Sequence, residues 1–218
     1  HGITEYVLWF YDPEAVGYIE RLAPPPRIVS YDCVDEFSAM PEFASRARRA
    51  RLARLESDLL SRADMVSVTS SLLEPSKGSR NAVVHVIENV GDFRHFNRAS
   101  SFSGPRPADL PERGPIVGFF GALQEYKIDT DLIAASARAR PQVKFLLIGH
   151  MSPSIQTMME ELPNVHWLGP KPYDRLPEYA AFFDVCIIPY AINGYTRTVF
   201  PLKFFEFLAT GKPIVSTA

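Results

Sequence analysis

The sequence predicts an α/β fold built on parallel sheets of the doubly wound type. Short runs rich in β-branched and aromatic residues alternate with helical stretches along the 218 residues. Most of these runs are apolar throughout, which is typical of strands that are covered by helices on both faces of a sheet. The repeated strand–helix order then favours the doubly wound arrangement.

The elements follow in order along the chain. In the first half, the strand-like runs are EYVLWFY (5–11), RIVSYDCV (27–34), MVSVTS (65–70) and AVVHVI (82–87), separated by helices at about 13–23 and 42–62 and by a short third helix. In the second half, strands at 115–123, 144–149, 165–169, 184–190 and 213–217 alternate with helices at 129–139, 152–161, 174–183 and 201–209. The last helix begins at Pro201, which suits a first turn because its missing N–H is not needed there.

The stretch between the two halves predicts a linker between two domains. Residues 96–115 (FNRASSFSGPRPADLPERGP) hold four prolines, two glycines and three serines without an apolar period. A structureless stretch of this length is uncommon inside a compact domain. We therefore expect a first α/β domain over 1–93, a Pro/Ser/Gly-rich linker over 94–114 and a second α/β domain over 115–218.

Composition and charge exclude several functions. Lys and Arg total 23 and Asp and Glu total 25, a net charge of −2, so no field of the whole chain attracts nucleic acid. Cys33 and Cys186 lie in apolar strand-like runs and are expected as reduced core residues, which favours a cytoplasmic protein. No apolar run approaches the length of about 18 residues that spans a bilayer.

Common cofactor and metal motifs are missing from the sequence. It has no G-x-G-x-x-G and no G-x-S-x-G, and Gly211-Lys212 lacks the other residues of a P-loop. The five histidines and two cysteines show no metal-ligand spacing. We therefore expect neither a metal ion nor a bound cofactor.

The segment 184–217 carries the polar groups of a ligand site. A strand ends in this segment and a polar loop follows, and the residues of interest are Tyr190, Arg197 and Thr198. Lys203 and Glu206 share one face near the start of the next helix because they are three residues apart. A helix N-terminus at the carboxyl edge of an open sheet attracts phosphate, and Glu206 would accept two ribose hydroxyls. The segment therefore predicts a site for a nucleotide diphosphate.

Within this segment, PLKFFEFLATGKPIV resembles the donor-binding helix of GT-B glycosyltransferases, in particular the family 4-like group of bacterial polysaccharide enzymes. Five further stretches resemble the same group in the same order along the chain: IVSYDCVDEF, ESDLLSRADMVSVTSSLL, HVIENVGDFRHF, PIVGFFGALQEYKID and NVHWLGPKPYDRLPEYAAFFDVCIIPY. One motif would be weak, whereas six in order extend over nearly the whole chain. The resemblance implies two Rossmann-like domains that face a cleft, which is the GT-B architecture.

The resemblance also implies roles around the nucleoside and the donor sugar. Glu206 matches the glutamate that binds the nucleotide ribose. Thr198 stands at the position of the first glutamate of the family's Glu-x7-Glu motif, of which Glu206 is the second. That first glutamate contacts the donor sugar in this family, so this contact differs here. The loop from Gly169 to Lys171 matches the loop that approaches the base.

Around the phosphates, the resemblance points to the turn after the first strand of the second domain. Lys127 matches a lysine that faces the pyrophosphate, and Gly121 is the glycine of that turn. Ala122 stands where the family often has an arginine. Arg197 or Lys203 would replace this missing cation.

On the acceptor side, Asp32 and Asp35 fall at the end of a strand where the family places a catalytic histidine or aspartate. They are therefore the candidate catalytic residues. The alternative is that one of them caps the following helix. Five arginines between Arg46 and Arg54 crowd one helix, and they are expected either as solvated charges or as a surface that contacts anionic lipid.

Taken with the site, the resemblance implies a glycosyltransferase that moves a sugar from a UDP- or GDP-linked donor to a sugar or lipid-linked acceptor in cell-surface polysaccharide synthesis. The enzyme would be cytoplasmic and metal-independent, with a peripheral contact at the inner membrane face and no nucleic-acid partner. Two alternatives remain open. One is another GT-B sugar-nucleotide enzyme of the epimerase type, and the other is a non-catalytic nucleotide-binding or scaffold module.

The ends of the chain also lead to an expectation. The first domain lacks the opening strands and Gly-rich turn that the resemblance implies, and the second domain stops just after a strand. We therefore expect the chain to be the middle of a longer enzyme, with both domains incomplete.

Overall fold

The computed structural model describes residues 2–40, 45–78, 83–112 and 114–217. The chain divides into two compact units. The first unit comprises residues 1–89 and 194–200, and the second comprises residues 90–193 and 201–218. Each unit contains a sheet of parallel strands, as the sequence predicts.

The first unit has a four-stranded sheet in the order β1-β2-β3-β4. Its strands are β1 (Val7–Phe10), β2 (Ile28–Cys33), β3 (Met65–Val68) and β4 (Val84–Val86). Its α-helices are α1 (Arg46–Arg62) and α2 (Glu74–Gly78), and 3-10 helices span Pro13–Arg21, Phe37–Ala39 and Thr196–Thr198. The start of the helix expected at 42–62 cannot be compared, since residues 41–44 lie outside the described part.

The core of the first unit lies on one face of its sheet. Inward-facing strand residues such as Tyr31 and Val66 pack with Leu59 of α1 in a cluster that excludes solvent. Burial of such side chains is the main stabilising contribution to a unit of this size. On the opposite face, the residues Val7, Trp9 and Ile28 remain 54%, 49% and 41% exposed. This part of the sheet therefore departs from the expectation that helices cover both faces.

The second unit has a five-stranded sheet in the order β7-β6-β5-β8-β9. Its strands are β5 (Ile116–Phe120), β6 (Lys144–Ile148), β7 (Val165–Trp167), β8 (Val185–Ile188) and β9 (Ile214–Ser216). Its α-helices are α3 (Phe93–Asn97), α4 (Thr130–Ala139), α5 (Pro153–Glu160), α6 (Leu176–Ala180) and α7 (Leu202–Ala209). The strand order reverses at β5, and ligands of open α/β sheets bind at the carboxyl edge near such a reversal.

The segment expected as a linker, residues 94–114, groups with the second unit in the structure. It contains most of α3 and a 3-10 turn at Arg98–Ser101. Phe96, Ala99 and Leu110 are buried, and the Phe96 ring stacks on Phe120 with the ring centres 5.4 Å apart. The prolines thus separate apolar anchors that hold the segment on the second unit, which is where the structure differs from the expected linker.

Two helices also differ in type or length from those the sequence predicts. The helix expected at 13–23 is a 3-10 helix over Pro13–Arg21 that contains Val16 and Gly17, which favour the α-helix poorly. The helix expected at 174–183 begins as a 3-10 turn and continues as the short α6. Both lie where apolar periodicity is short, so the pattern alone does not fix the helix type.

Candidate functional site

Three glycine turns meet at the carboxyl edge of the second sheet. Gly121, Gly149 and Gly169 follow β5, β6 and β7, with φ angles of 154°, 138° and 68°. The amide of Gly121 donates to the Ile148 carbonyl at 2.8 Å, and the amide of Gly149 donates to the Gly169 carbonyl at 3.0 Å. A Cβ added to Gly149 would lie 1.9 Å from the carbonyl oxygen of Gly121. Only glycine fits here, because the two turns are in backbone contact.

These turns form the floor of a cleft of about 220 Å³ within the second unit. Its polar side chains come from three places in the chain: His150 after β6, Lys171 after β7 and Lys203 in the first turn of α7. The sequence predicts Gly121, Lys171 and Lys203 as donor-side residues, and the structure brings these three together around one cleft. His150 follows Gly149, and only its position at a strand end could have indicated it.

Lys203 and Glu206 form an ion pair on the first turns of α7. The Lys203 Nζ and Glu206 Oε2 atoms are 2.5 Å apart. The Lys203 ammonium also lies 4.9 Å from the centre of the Phe120 ring. The Glu206 side chain is 4% exposed, whereas that of Lys203 is 21% exposed. The pair therefore presents an ammonium to the cleft while its carboxylate is held inside.

Lys171 is held by Asp109, an acid that no motif in the sequence indicates. Its Nζ lies 2.7 Å from Oδ2 of Asp109, and the Tyr179 hydroxyl donates to both carboxylate oxygens of Asp109 at 3.1 and 3.2 Å. The hydrogen bond to Asp109 raises the pKa of Lys171, although desolvation opposes it. Lys171 thus stays cationic at the cleft. No local spacing could have indicated the pair, because the two residues are far apart in sequence.

The other two donor-side residues of the second unit, Lys127 and Tyr190, contact each other. The Lys127 ammonium lies 5.2 Å from the centre of the Tyr190 ring. The main chains meet as well, since the amide of Ala191 donates to the Lys127 carbonyl at 2.9 Å. A cation over an aromatic face is stabilised by the ring quadrupole. Tyr190 therefore positions Lys127 through its ring.

Arg197 and Thr198 group with the first unit, although they were expected beside the donor. They lie in the 3-10 turn Thr196–Thr198, where the Thr198 hydroxyl donates to the Tyr195 carbonyl at 3.0 Å. Arg197 is exposed. By its contacts, this turn groups with the first unit, although α7, which follows it in the chain, groups with the second.

Asp32 and Asp35 are held by different hydroxyl groups of the first unit. Asp32 accepts from Ser67 Oγ at 2.8 Å, and Asp35 accepts from the Tyr195 hydroxyl at 3.3 Å. The helix-capping alternative does not apply to α1, whose cap is Ser45. Tyr195 was not selected from the sequence, because 160 residues separate it from Asp35.

A buried charged cluster lies beside these aspartates in the first unit. Lys77 Nζ is 2.8 Å from Glu56 Oε1 and 3.1 Å from Glu36 Oε2, and the Tyr31 hydroxyl donates to Glu56 at 2.9 Å. The Lys77 side chain is 3% exposed. Desolvation alone would lower the pKa of Lys77, but the surrounding anionic groups raise it. Burial raises the pKa of the Cys33 thiol to about 12. Within the cluster, Lys77 therefore pairs with both glutamates, and Glu56 also accepts a hydrogen bond.

Within the described residues, no group of three or more His, Cys, Asp or Glu side chains is placed to hold a metal ion. Among the helices described above, none is both long and apolar enough to cross a membrane.

Comparison with known proteins finds glycosyltransferases similar to this chain. Residues 114–218 match the family described as Glycosyl transferases group 1. The chain is 32% identical over 200 residues to TuaH of Bacillus subtilis, whose name assigns it as a glycosyltransferase of teichuronic acid biosynthesis. That match covers 87% of this chain and 50% of TuaH, so the chain spans about half the length of this curated relative.

Solved structures of GT-B glycosyltransferases share the fold. Sucrose-phosphate synthase from Thermosynechococcus elongatus matches with a TM-score of 0.71 and 21% identity, over 97% of this chain and 56% of that one. HepE of Anabaena in complex with UDP-glucose matches with a TM-score of 0.70 and 21% identity, over 96% of this chain and 59% of that one. The predicted α/β fold with parallel sheets is therefore confirmed.

Proposed function

We propose that this protein transfers a sugar from a nucleotide diphosphate sugar to an acceptor in cell-surface polysaccharide synthesis, because residues 114–218 match the family described as Glycosyl transferases group 1. The second unit binds the donor in the cleft at the carboxyl edge of β5, β6 and β7. The relationship to TuaH supports the polysaccharide context. The other GT-B chemistry considered above, epimerisation, is not favoured by any contact described for this cleft.

The observation that carries this proposal is the glycine floor with the Lys203–Glu206 pair at its side. Gly121 and Gly149 have no side chain, and the Gly121 carbonyl oxygen lies where a Cβ of Gly149 would be, so backbone groups line the cleft at this point. Lys203 lies against the Gly121 turn, since a Cβ at Gly121 would be 3.3 Å from Lys203 Cε. A diphosphate on this floor would therefore meet a cation.

Lys171, Lys203 and the buried partner of Lys203, Glu206, each have a role in this proposal. Glu206 accepts the ribose hydroxyls, and Lys203 is released from Glu206 to pair with the diphosphate. Lys171, held cationic by Asp109, lies in the loop that follows Gly169 and faces the nucleoside. Hydrogen bonds of this charged type contribute about 1.5–3 kcal/mol each.

Departure of the nucleoside diphosphate needs positive charge that is already in place. Lys203, the first turn of α7 and Lys127 supply it in the proposal, and no metal ion or other cofactor takes part. UDP is the favoured nucleotide, because HepE, which shares the fold, is described in complex with UDP-glucose. Contact of Thr198 with the donor sugar, and of Arg197 with its phosphate, stays a prediction from the sequence.

The first unit binds the acceptor in this proposal. Asp32 lies near the end of β2 and Asp35 follows the strand, so both are at the carboxyl edge of the sheet. They are the candidates to accept the proton of the attacking hydroxyl. The protein acts in the cytoplasm, where Cys33 and Cys186 stay reduced, and meets lipid-linked acceptors at the inner face of the membrane.

A panel of sugar nucleotides tests the function directly. The protein is heated with UDP-, GDP-, ADP- or dTDP-sugars, and one class is expected to raise the melting temperature by a few degrees. Ligand at a hundred times its Kd adds about 2.7 kcal/mol, which gives a shift of that size for a chain of this length. The nucleotide that stabilises is then incubated with an acceptor mixture, and the transferred sugar is found as a mass increase. If no sugar nucleotide stabilises the protein, the proposal is contradicted and the alternative of a non-catalytic scaffold module is favoured.

A further inference from the structure

The first half of α1 presents an arginine-rich surface that the donor site does not use. Arg46, Arg48, Arg49, Arg51 and Arg54 are all exposed. All five are arginine and none is lysine. The planar guanidinium pairs with two oxygens of a phosphate or carboxylate at once, which an ammonium cannot do. The residue type therefore favours recognition of oxyanions over general solubility.

Contacts of α1 with β2 fix how the helix lies along the sheet. Asp64, just after α1, donates its amide to the Val29 carbonyl near the start of β2. Glu56 accepts from the hydroxyl of Tyr31 and contacts Cys33 Sγ near the end of β2. The helix thus runs antiparallel to the strand, with Glu56 level with the carboxyl edge of the sheet.

The arginine-rich half must then extend past that edge. Arg46 precedes Glu56 by ten residues, which at the rise of an α-helix is about 15 Å. The carboxyl edge is where open α/β sheets bind their ligands, and it is where Asp35 lies. The arginines are therefore on the ligand side of the first unit.

The side of α1 that faces the sheet changes from buried to exposed residues where the helix passes the carboxyl edge. Arg49, Leu52 and Glu56 follow one another at helical spacing, so they share one stripe. Leu52 and Glu56 are 2% and 8% exposed, whereas Arg49 is exposed. Beyond the sheet, the stripe that carries core residues is continued by an arginine.

Helix stability does not explain this arrangement. The first turn of α1 contains no acidic residue, and cations there oppose the helix dipole by about 0.3–1 kcal/mol each. The Arg48 amide is already bound by the capping Ser45 hydroxyl at 3.2 Å. The guanidinium groups, and not the amides of the helix end, form this surface, and Arg51 among them also pairs with Glu14 at 3.6 Å.

We propose that the arginine-rich half of α1 binds negatively charged groups, phosphate or carboxylate, of the acceptor. The acceptor would thus be an acidic glycan or a sugar phosphate instead of a neutral sugar. This inference rests on the proposed glycosyltransferase function, because it names the class of the second substrate. Arg46 and Arg49 are the two residues on which the test depends.

Acceptor binding can be measured without a donor and so without turnover. Digalacturonic acid, glucose 1-phosphate and neutral maltose are titrated into the protein by calorimetry, at low and at high salt. We expect the two charged probes to bind more tightly than maltose and to weaken as salt rises. The double variant Arg46→Gln/Arg49→Gln should bind the charged probes about tenfold more weakly, roughly threefold for each exposed pair lost. Its affinity for a UDP-sugar should not change.

The matched control is Arg138→Gln/Arg140→Gln, which removes two exposed arginines at the end of α4 in the second unit. It should leave all three affinities unchanged. Equal binding of the charged probes by the Arg46/Arg49 variant and the native protein would overturn the proposal. So would binding to phosphatidylglycerol vesicles that depends on these arginines while neither charged probe binds, since the partner would then be a membrane. If instead no UDP-sugar binds while both probes depend on the arginines, the proposed function fails and the anion surface stands.

Discussion

The first unit encloses a lysine between two glutamates, whereas the second unit places a lysine–glutamate pair at the side of a cleft. The Lys77 side chain is 3% exposed, and both of its carboxylate partners lie within 3.1 Å. Lys203 has one carboxylate partner and is 21% exposed. The same two residue types therefore meet in two environments, one closed and one open to a ligand.

The difference indicates which of the two lysine–glutamate groups has a structural role. In the first unit, each acid of the cluster is paired or hydrogen-bonded, so the charges stabilise one another at the end of β2. In the second unit, the buried carboxylate of Glu206 is held by a lysine that lies over an aromatic ring beside glycine turns. In the proposed function a ligand replaces Lys203 as the partner of Glu206, whereas Lys77 is enclosed with its two acids.

The largest expected effect comes from breaking the enclosed cluster. Lys77→Met leaves two acids without their cation and should lower the free energy of unfolding of the first unit by about 3–5 kcal/mol. Each unit has one tryptophan, Trp9 and Trp167, so denaturation of a Trp167→Phe background reports the first unit alone.

The control for that variant is Arg27→Gln in the same unit. Arg27 pairs with Glu5 at 3.2 Å, but both side chains are more than 70% exposed. Such a pair contributes less than about 1 kcal/mol. Equal losses for Lys77→Met and Arg27→Gln would show that the cluster is not the structural charge of this unit.

A smaller effect is expected where the cleft depends on glycine. Gly149→Ala places a Cβ against the Gly121 carbonyl and should destabilise the second unit by about 2–4 kcal/mol, from overpacking and backbone strain together. Trp167 reports this unit directly, because its Nε1 donates to the Gly149 carbonyl at 2.8 Å.

Gly169→Ala separates strain from crowding in that experiment. Gly169 has a φ of 68°, but no atom lies within 4 Å of the Cβ that alanine would add. Strain alone should then cost about 1–2 kcal/mol. A Gly149→Ala protein as stable as Gly169→Ala would contradict the close contact of the two turns.

The smallest effect concerns acid. Burial alone would raise the pKa of Glu36, but hydrogen bonds from Ser38 and Lys77 hold it below its usual value. A lowered pKa in the folded state means that Glu36 stabilises the first unit above its ordinary pKa, and that this contribution is lost as the pH falls through the folded value. Glu36→Gln should therefore make the unfolding midpoint of the Trp9 signal less sensitive to acid. Glu5→Gln, an exposed control, should keep the sensitivity of the native protein.

Local patterns predict much of this molecule. Apolar runs indicate all nine described strands, because a buried parallel strand needs no information beyond its own residues. Lys203 and Glu206 lie on one face of α7, as their spacing predicts, since residues three apart on a helix are neighbours. Gly121 and Lys171 reach the same cleft because the parallel strands β5, β6 and β7 all end at one edge of the sheet.

Contacts between distant residues could not be predicted in this way. Asp109 meets Lys171 because the segment before β5 packs on the second unit through Phe96 and Leu110, against the expectation of a linker. Lys77 reaches Glu56 only once the α1 and α2 helices are both packed on one sheet. A single sequence indicates which face of an element is apolar, but not which polar side chain of another element will meet it.

Calorimetric titration of UDP tests the central claim, that the second unit binds a nucleotide donor through Glu206. Glu206→Gln keeps the shape of the side chain and should weaken UDP binding at least about tenfold, because charged hydrogen bonds contribute about 1.5–3 kcal/mol. Glu161→Gln, at the exposed end of α5, should bind UDP as the native protein does. Equal affinity of the Glu206→Gln variant and the native protein for UDP would contradict the account.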